Sequence, residues 1–276
     1  MDSPRELLRR RGLHPKKSWG QNFLGDEDIL ARIATAAQVG PGNLVVELGA
    51  GLGHLTQALL DTGAQVIAVE RDRDMVVSLK HTFKDEPRLT LLEANAATLD
   101  LATLVQGVTP AVLTVVGNLP YQLSSSILFA MLAQRQWVRR LVFLLQAEFV
   151  ERMVAGPGGR DFGVLSVQAQ AVADVSSVFR VPSSAFYPRP SVDSAVVELV
   201  PLAAPRVKAA ATPLFSQVVR GAFQQRRKTL GNALQNAGFT RAKEALALVG
   251  IDPVRRAETL SLAEFGELTE ALAAQR

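Results

Sequence analysis

Short aliphatic runs alternate with helix-like segments through the first two thirds of the chain, and this alternation constrains the fold more than any other feature. Between the first two runs, Leu52, Leu55, Leu59 and Leu60 recur at helical spacing. Parallel strands need such a crossover, which is right-handed in nearly every known fold. The pattern therefore predicts βαβ units around a mostly parallel sheet. The predicted strands cover residues 44–48, 65–70, 89–93, 111–117 and 140–146.

The last third of the chain departs from this alternation. Two further strand-like runs, at 173–181 and 195–200, have no helix-length periodic segment between them, which favours an antiparallel closing pair. Beyond residues 201–205, where two prolines bracket small residues, the pattern is purely helical and includes a capping box of Ser261 and Glu264.

Three segments follow from these patterns: a basic N-terminal tail over residues 1–20, an α/β domain over 21–203, and a small all-α domain over 204–276. The glycine-rich stretch 156–160 is incompatible with regular structure. We interpret it either as a lid or as an ordinary connection.

Composition excludes several classes of protein. The chain has no cysteine, so it has neither disulfides nor thiolate metal sites, and its three histidines are scattered. The N-terminus lacks the apolar core of a signal peptide, and no stretch approaches the ~18 apolar residues that a membrane span needs. We therefore expect a soluble, cytoplasmic protein that uses no metal and no membrane.

Basic residues are concentrated at the two ends of the chain. Although the net charge is only +4, residues 1–20 and 206–276 both carry a positive excess, whereas the segment between them is acidic overall. This distribution favours a polyanionic partner held by the flanks. For Arg9, Arg10 and Arg11 taken alone, a solvated tail is the preferred interpretation.

A glycine loop follows the first predicted strand and opens the next helix. The sequence of residues 47–53, Glu-Leu-Gly-Ala-Gly-Leu-Gly, lets a ligand lie against bare backbone. Its spacing is not that of the dinucleotide fingerprint, so a cofactor without phosphates fits better. Glu70 ends the second strand, where such folds present a carboxylate to ribose hydroxyls, and Asn95 follows the third strand, where it could bind an adenine.

These features occur in the order found in one known family. The chain from about residue 17 onward resembles the bacterial small-subunit (16S) ribosomal RNA adenine dimethyltransferases, which have a Rossmann-like methyltransferase fold. The blocks that carry the resemblance are Gly20-Gln21-Asn22-Phe23-Leu24, the 47–53 loop, Glu70, Asn118-Leu119-Pro120-Tyr121, residues 186–194, and Arg226-Arg227-Lys228-Thr229-Leu230.

The resemblance implies a cofactor and the residues that bind it. The cofactor is S-adenosyl-L-methionine, and the implied binding residues are Gln21, Asn22, Leu24, Gly49, Gly51, Glu70, Asn95 and Asn118. The family usually has Asp where this chain has Asn95. The amide oxygen of Asn95 still accepts a hydrogen bond but carries no charge, so the cofactor could be bound somewhat more weakly.

The expected catalytic residues are Asn118, Leu119, Pro120, Tyr121 and Phe186. Adenine's amino nitrogen is a poor nucleophile because its lone pair is delocalised into the ring. Asn118 and a backbone carbonyl near Leu119 could each accept one amine hydrogen and so orient the nitrogen. We expect Tyr121 and Phe186 to hold the extruded base from opposite faces. A strand-terminating turn is the structural alternative for the tetrapeptide, and core packing is the alternative for Phe186.

The resemblance also implies the substrate, a pair of adjacent adenines in the 3′-terminal hairpin loop of 16S rRNA on an assembling 30S subunit. Each adenine receives two methyl groups, and a monomer is expected. The phosphate-binding candidates are Arg220, Arg226, Arg227 and Lys228. The alternatives are a large-subunit (23S) rRNA adenine methyltransferase, a mainly non-catalytic assembly factor and, with least support, a small-molecule methyltransferase.

Overall fold

Residues 1–105 and 112–275 are described by the computed structural model. The strands in these residues are β1 (Phe23–Leu24), β2 (Leu44–Leu48), β3 (Gln65–Glu70), β4 (Leu89–Glu93), β5 (Leu113–Asn118), β6 (Val138–Gln146), β7 (Ala173–Val181), β8 (Phe186–Tyr187) and β9 (Ser194–Pro201). The strand predicted at 111–117 begins two residues later and ends one residue later, and residue 111 is outside the described residues.

Seven strands form one sheet in the order β4-β3-β2-β5-β6-β9-β7. The pairs from β4 through β6 are parallel, and β6 pairs with β9 in antiparallel fashion. Val45, Val46 and Leu48 of β2 are completely buried, as expected for a parallel strand covered on both faces. The mostly parallel sheet with an antiparallel closing strand is thus confirmed.

The helices are α1 (Pro4–Arg11), α2 (Glu27–Ala37), α3 (His54–Asp61), α4 (Arg73–Thr82), α5 (Ser124–Ala133), α6 (Ala147–Val154), α7 (Val164–Gln170), α8 (Pro213–Phe223), α9 (Leu230–Asn236), α10 (Ala242–Leu248) and α11 (Leu262–Ala273). The crossover helix α3 connects β2 to β3 and buries Leu59 and Leu60 in the core beside the sheet. The predicted capping box of Ser261 and Glu264 begins α11.

The chain forms two compact units, and their limits differ from the predicted domains. The first comprises residues 1–150 and 176–201, and the second comprises 151–175 and 202–276. The return to the helical unit after residue 201 lies within two residues of the predicted boundary. Residues 151–175 had been assigned to the α/β domain, but Phe162 and Val167 pack into a core with Phe223 and Phe265 of the second unit. This long-range packing has no signature in local sequence.

The first eleven residues do not form the expected basic tail. They contain α1, which begins with a capping box between Ser3 and Glu6. Leu7 and Leu8 are buried against Phe23 and neighbouring apolar side chains. The segment is therefore a folded part of the first unit.

The arginines of α1 have different partners. Arg11 donates to the Ser78 carbonyl, to Ser78 Oγ at 2.6 Å and to Thr82 Oγ1 at 2.8 Å, so it anchors α1 against the end of α4. Arg10 forms an exposed ion pair with Asp2 at 2.5 Å. The interpretation of Arg9, Arg10 and Arg11 as a freely solvated tail is accordingly wrong for Arg11.

Candidate active site

A cavity of about 380 Å³ opens at the carboxyl ends of β2, β3 and β5. This is the edge at which open α/β sheets bind ligands. The cavity is lined by the wall segment (residues 18–24), by residues 47–52 of the glycine loop and by the residues that follow β3 and β5. The lining includes all the predicted cofactor-binding residues, namely Gln21, Asn22, Leu24, Gly49, Gly51, Glu70, Asn95 and Asn118.

The glycine loop is shaped by left-handed backbone at Gly49 (φ 77°) and Gly51 (φ 54°). The amide of Gly49 donates to the Val69 carbonyl at 2.8 Å, which ties the loop to the end of β3. A Cβ at Gly51 would come within 3.1 Å of the Phe23 ring. The loop therefore keeps bare backbone against both the cavity and the wall segment.

Glu70 is buried at the end of β3 and holds the local backbone together. Its Oε2 accepts from the Gly51 amide at 2.9 Å, and its Oε1 accepts from the amides of Arg71 and Asp72, both at 2.8 Å. Burial raises the pKa of Glu70, although these three N–H donors act in the opposite direction. With one backbone donor on Oε2, the carboxylate keeps capacity for a ligand hydroxyl.

A second carboxyl group, which sequence reasoning did not single out, also lines the cavity. Glu47 is 1% exposed and accepts from Thr56 Oγ1 at 2.5 Å. Burial, reinforced by the nearby charge of Glu70, raises its pKa to about 7 against the opposing effect of the Thr56 hydrogen bond. Its signal in the sequence was an acidic residue inside the aliphatic run of β2.

The wall segment is held by side chains that lie outside the reacting centre. The side chain of Gln21 donates from Nε2 to Asp72 at 2.7 Å and accepts from the Lys16 amide at 2.8 Å. Both ends of that amide are thus occupied by protein partners, so its hydrogen bonds fix the segment. Leu24 pairs with Phe186 in the small β1–β8 sheet and is 4% exposed.

Asn118 connects the wall segment with the end of β5. Its Nδ2 donates to the Asn22 carbonyl at 3.0 Å. This bond fixes the orientation of the amide and leaves Oδ1 as the acceptor. The Pro120 carbonyl already accepts from the Leu123 amide and from Ser124 Oγ. The carbonyl of Leu119 is therefore the better candidate for a second acceptor. The Leu119 amide donates to the Leu144 carbonyl of β6, which holds Leu119 in place at the edge of the sheet.

Tyr121 lines the cavity with its hydroxyl 2.8 Å from Ser194 Oγ. Burial raises its pKa, so the phenol stays neutral. The bond to the start of β9 fixes the ring's position. Tyr121 is thus available to contact a flat ligand in the cavity.

Phe186 does not meet the expectation that it faces Tyr121 across the cavity. It is 6% exposed, packs in the main core of the first unit and is not among the residues that line the cavity. Successive residues of a strand point to opposite sides, and the exposed neighbour is Tyr187. Core packing, the alternative interpretation of Phe186, describes this structure.

Asn95 lines the cavity, but its Oδ1 accepts from the Ala97 amide at 3.1 Å and caps a short 3₁₀ turn. The oxygen proposed to meet a cofactor adenine is therefore shared with the backbone. Capping at this position needs only a side-chain oxygen, which Asn and Asp both supply.

The basic candidates of the second unit have different environments. Arg226 donates to the carbonyls of Arg160 and Phe162, both at 2.8 Å, while the Gly158 amide donates to the Glu258 carbonyl at 2.7 Å. The 156–160 stretch is thus bonded to its own unit, as in an ordinary connection. Arg220, Arg227 and Lys228 are exposed.

Comparison with known proteins identifies the family. A family model described as Ribosomal RNA adenine dimethylase matches residues 12–274. This chain belongs to that family. It is 53% identical to Ribosomal RNA small subunit methyltransferase A of Anaeromyxobacter sp. (strain K) over 98% of both chains. It is 47% identical to the protein of the same name from Myxococcus xanthus (strain DK1622), over 99% of this chain and 96% of that protein.

Two solved structures of RNA-modifying and adenosine-modifying transferases have a similar fold. The crystal structure of a dimethyladenosine transferase from Plasmodium falciparum has a TM-score of 0.70 and 26% identity, covering 89% of this chain and 95% of that one. The 23S rRNA methyltransferase ErmE has a TM-score of 0.68 and 26% identity, covering 91% and 99%. The expected family, the Rossmann-like methyltransferase fold and the enzyme class, an rRNA adenine dimethyltransferase, are confirmed.

No helix in residues 1–105 or 112–275 is long and apolar enough to cross a membrane.

Proposed function

We propose that this dimethylase transfers methyl groups from S-adenosylmethionine to the exocyclic amino groups of two adjacent adenines in the 3′-terminal hairpin loop of 16S rRNA, on the assembling 30S subunit. The proposal includes a monomeric enzyme working in the cytoplasm.

The cavity fits the proposed cofactor by its chemistry. Glu70 has room for a ribose hydroxyl, and the glycine loop offers backbone against which a ligand without phosphates can lie. The carboxyl groups of Glu47 and Glu70 line the cavity, and a ligand with a sulfonium and an ammonium group would favour their charged forms. When bound, S-adenosylmethionine supplies an electrophilic methyl group.

The hydrogen bond from Asn118 Nδ2 to the Asn22 carbonyl carries the mechanistic proposal. With one Nδ2 hydrogen donated to that carbonyl, the amide of Asn118 is held so that Oδ1 can accept from an incoming amine. Oδ1 and the Leu119 carbonyl then accept one hydrogen each, which favours a pyramidal nitrogen with its lone pair directed at the methyl group. Orientation replaces a strong base, and the fixed geometry itself accounts for part of the acceleration.

Tyr121 is the proposed aromatic contact for the extruded base. Its hydroxyl is held by Ser194, so the ring would be preorganised. Phe186 was expected to lie on the other face, but its burial requires a rearrangement of the β1–β8 sheet before it could contact a base. We therefore assign base contact to Tyr121.

Arg220, Arg227 and Lys228 are the proposed phosphate contacts in the second unit. Their exposure supports this role, because phosphate binding needs accessible cations and adds affinity without reading sequence. Arg226 contributes differently, because its guanidinium donates to the carbonyls of Arg160 and Phe162.

Two alternatives remain distinct from this proposal. A 23S rRNA substrate has the structural likeness to ErmE in its favour, whereas the relatives with the higher sequence identity carry small-subunit names. A mainly non-catalytic assembly factor would not need the bonded arrangement of Asn118 and Asn22. The location of transferred methyl groups in total rRNA separates the two substrates.

Asn118→Ala tests the orienting role. We expect the dissociation constant for S-adenosylmethionine to change by less than about tenfold while kcat falls by about 10²-fold or more, because one transition-state acceptor is lost. Gln122→Ala, at an exposed position on the cavity rim, is the control and should retain kcat. Equal losses in cofactor affinity and kcat for Asn118→Ala would contradict the role.

A further inference from the structure

Asp72 follows β3 and makes long-range contacts that the proposed reaction does not use. Its side chain is fully buried, and its Oδ1 accepts from Lys16 Nζ at 2.6 Å while its Oδ2 accepts from Gln21 Nε2 at 2.7 Å. Oδ1 also caps α4 by accepting from the Asp74 amide at 3.1 Å. One carboxylate thus joins α4 to two residues that lie more than fifty positions earlier in the chain.

The carboxylate remains charged in this environment. Burial alone would raise the pKa of Asp72, but the hydrogen bonds from Lys16 and Gln21 outweigh it and lower the pKa. Lys16 has a second partner, Asp74, whose side chain is 55% exposed. Asp72 is therefore the buried member of the cluster and the one that connects Lys16 with Gln21.

Asp72 lies behind the cavity, whereas its neighbours line it. Glu70, Arg71 and Gln21 are among the lining residues, and Asp72 is not. The Asp72 amide donates to Glu70 Oε1, so the same residue also orients the carboxylate proposed to bind ribose. A displacement of Asp72 would act on both the wall segment and Glu70.

Trp19 adds a second connection between the wall segment and the end of β3. The Arg71 guanidinium lies 4.0 Å from the Trp19 ring centre, and Lys16 Nζ lies 5.0 Å from it. Trp19 lines the cavity. Its ring therefore reports whether the wall segment is in place.

The wall segment leads directly to the reacting centre. One residue after Gln21, the Asn22 carbonyl accepts the bond that fixes Asn118. Phe23 and Leu24 then enter β1. The path from Asp72 to Asn118 consists of one side-chain bond, one residue of backbone and a second side-chain bond.

We propose that Asp72 is a positioning residue that sets cofactor affinity by holding the wall segment closed over the cavity, without touching the cofactor. This rests on the proposed use of S-adenosylmethionine. Without the carboxylate, Gln21 loses its acceptor and Lys16 keeps only the exposed Asp74. The wall segment then moves away from the cavity in a fraction of the molecules. The cofactor binds only the molecules in which the segment is closed, so its apparent affinity falls.

Asp72→Asn tests this proposal while keeping an oxygen to cap α4. We expect calorimetry to give a dissociation constant for S-adenosylmethionine weaker by about tenfold, the loss typical of a hydrogen bond to a charged group. The KM for RNA and kcat at saturating cofactor should change little. In a Trp137→Phe background, acrylamide should quench Trp19 fluorescence more strongly in the variant before any ligand is added.

Lys16→Met removes the partner from the other side of the same ion pair and guards against misfolding of the Asp72 variant. It should weaken cofactor binding and expose Trp19 in the same direction. Glu93→Gln, at an exposed residue that ends β4, is the matched control and should change neither quantity. A double-mutant cycle between Gln21→Ala and Asp72→Asn should show losses smaller than the sum of the single effects.

Cofactor affinity within twofold of the unsubstituted protein, together with unchanged Trp19 quenching, would overturn the role of Asp72 and leave only its cap of α4. A loss of unfolding stability without a loss of affinity would do the same. If the unsubstituted protein bound no S-adenosylmethionine, the proposed function would fail instead, and the Trp19 quenching would still report on the closure of the wall segment.

Discussion

Glu47→Gln should remove a pH-dependent cost to stability. The folded protein raises the pKa of Glu47 from an ordinary value of 4.5 to about 7, chiefly by burial. Between these values the folded state binds more protons than the unfolded state, so the free energy of unfolding falls as pH rises from 4.5 through 7. At about 1.4 kcal/mol for each tenfold change in proton affinity, the full cost above pH 7 is about 3 kcal/mol.

Glutamine keeps an oxygen that can accept from Thr56 Oγ1 but has no charge to desolvate. We therefore subtract the free energy of unfolding of the unsubstituted protein from that of the variant at each pH. This difference should be about 2 to 3 kcal/mol more positive at pH 8 than at pH 5. Urea unfolding followed by circular dichroism at both pH values measures this. Glu93→Gln is again the exposed control. A stability difference for Glu47→Gln that is the same at pH 5 and pH 8 would refute the reasoning.

Four further predictions concern the basic residues of the second unit, the adenine position and the N-terminal helix. Arg226→Ala should lower the free energy of unfolding by about 1 to 3 kcal/mol, because two carbonyls lose their donor. Arg227→Ala should leave the free energy of unfolding unchanged but weaken RNA binding, and the slope of log binding constant against log salt concentration should become shallower by about one. The reverse pattern for the two variants would exclude our assignment. Asn95→Asp should keep or tighten S-adenosylmethionine binding, and abolished binding in calorimetry would contradict the role of Asn95. Leu7→Ala should cost about 2 to 4 kcal/mol in chemical unfolding, whereas a tail would give no change.

Features set by short-range patterns were predictable from sequence. The limits of β2 and β3 follow from aliphatic runs that are largely buried within the sheet. The limits of β4, an edge strand with no fully buried residue, follow from a shorter aliphatic run. The glycine loop and Glu70 were predictable because the carboxyl ends of neighbouring parallel strands meet at one edge. The same rule predicted that Asn118, at the carboxyl end of β5, lies at the cavity.

Features set by long-range contacts were missed. Gln21 lines the cavity as expected, but the bonds that hold its side chain to Asp72 and Lys16 were not predicted, because no local periodicity links these positions. Phe186 was expected to face a base because prolines follow it, yet it pairs with Leu24 in a two-residue strand too short to leave a pattern.

The N-terminal helix is a different case, because its signals were present. Ser3 and Glu6 form a capping box, Pro4 occupies the first turn, and Gly12 ends the helix with a left-handed backbone. The high density of arginines outweighed these signals in the interpretation of residues 1–20 as a tail. The burial of Leu7 and Leu8 then depends on Leu52 and Met75, which lie far along the chain.

Transfer of labelled methyl groups to unmethylated small subunits tests the central proposal most directly. After incubation with methyl-labelled S-adenosylmethionine, nuclease mapping and mass spectrometry of the rRNA locate and count the groups. Our account predicts four methyl groups, two on each of two adjacent adenines in the 3′-terminal hairpin of 16S rRNA, and almost none with Asn118→Ala. Label elsewhere in the 16S rRNA, or no label with either protein, would contradict it.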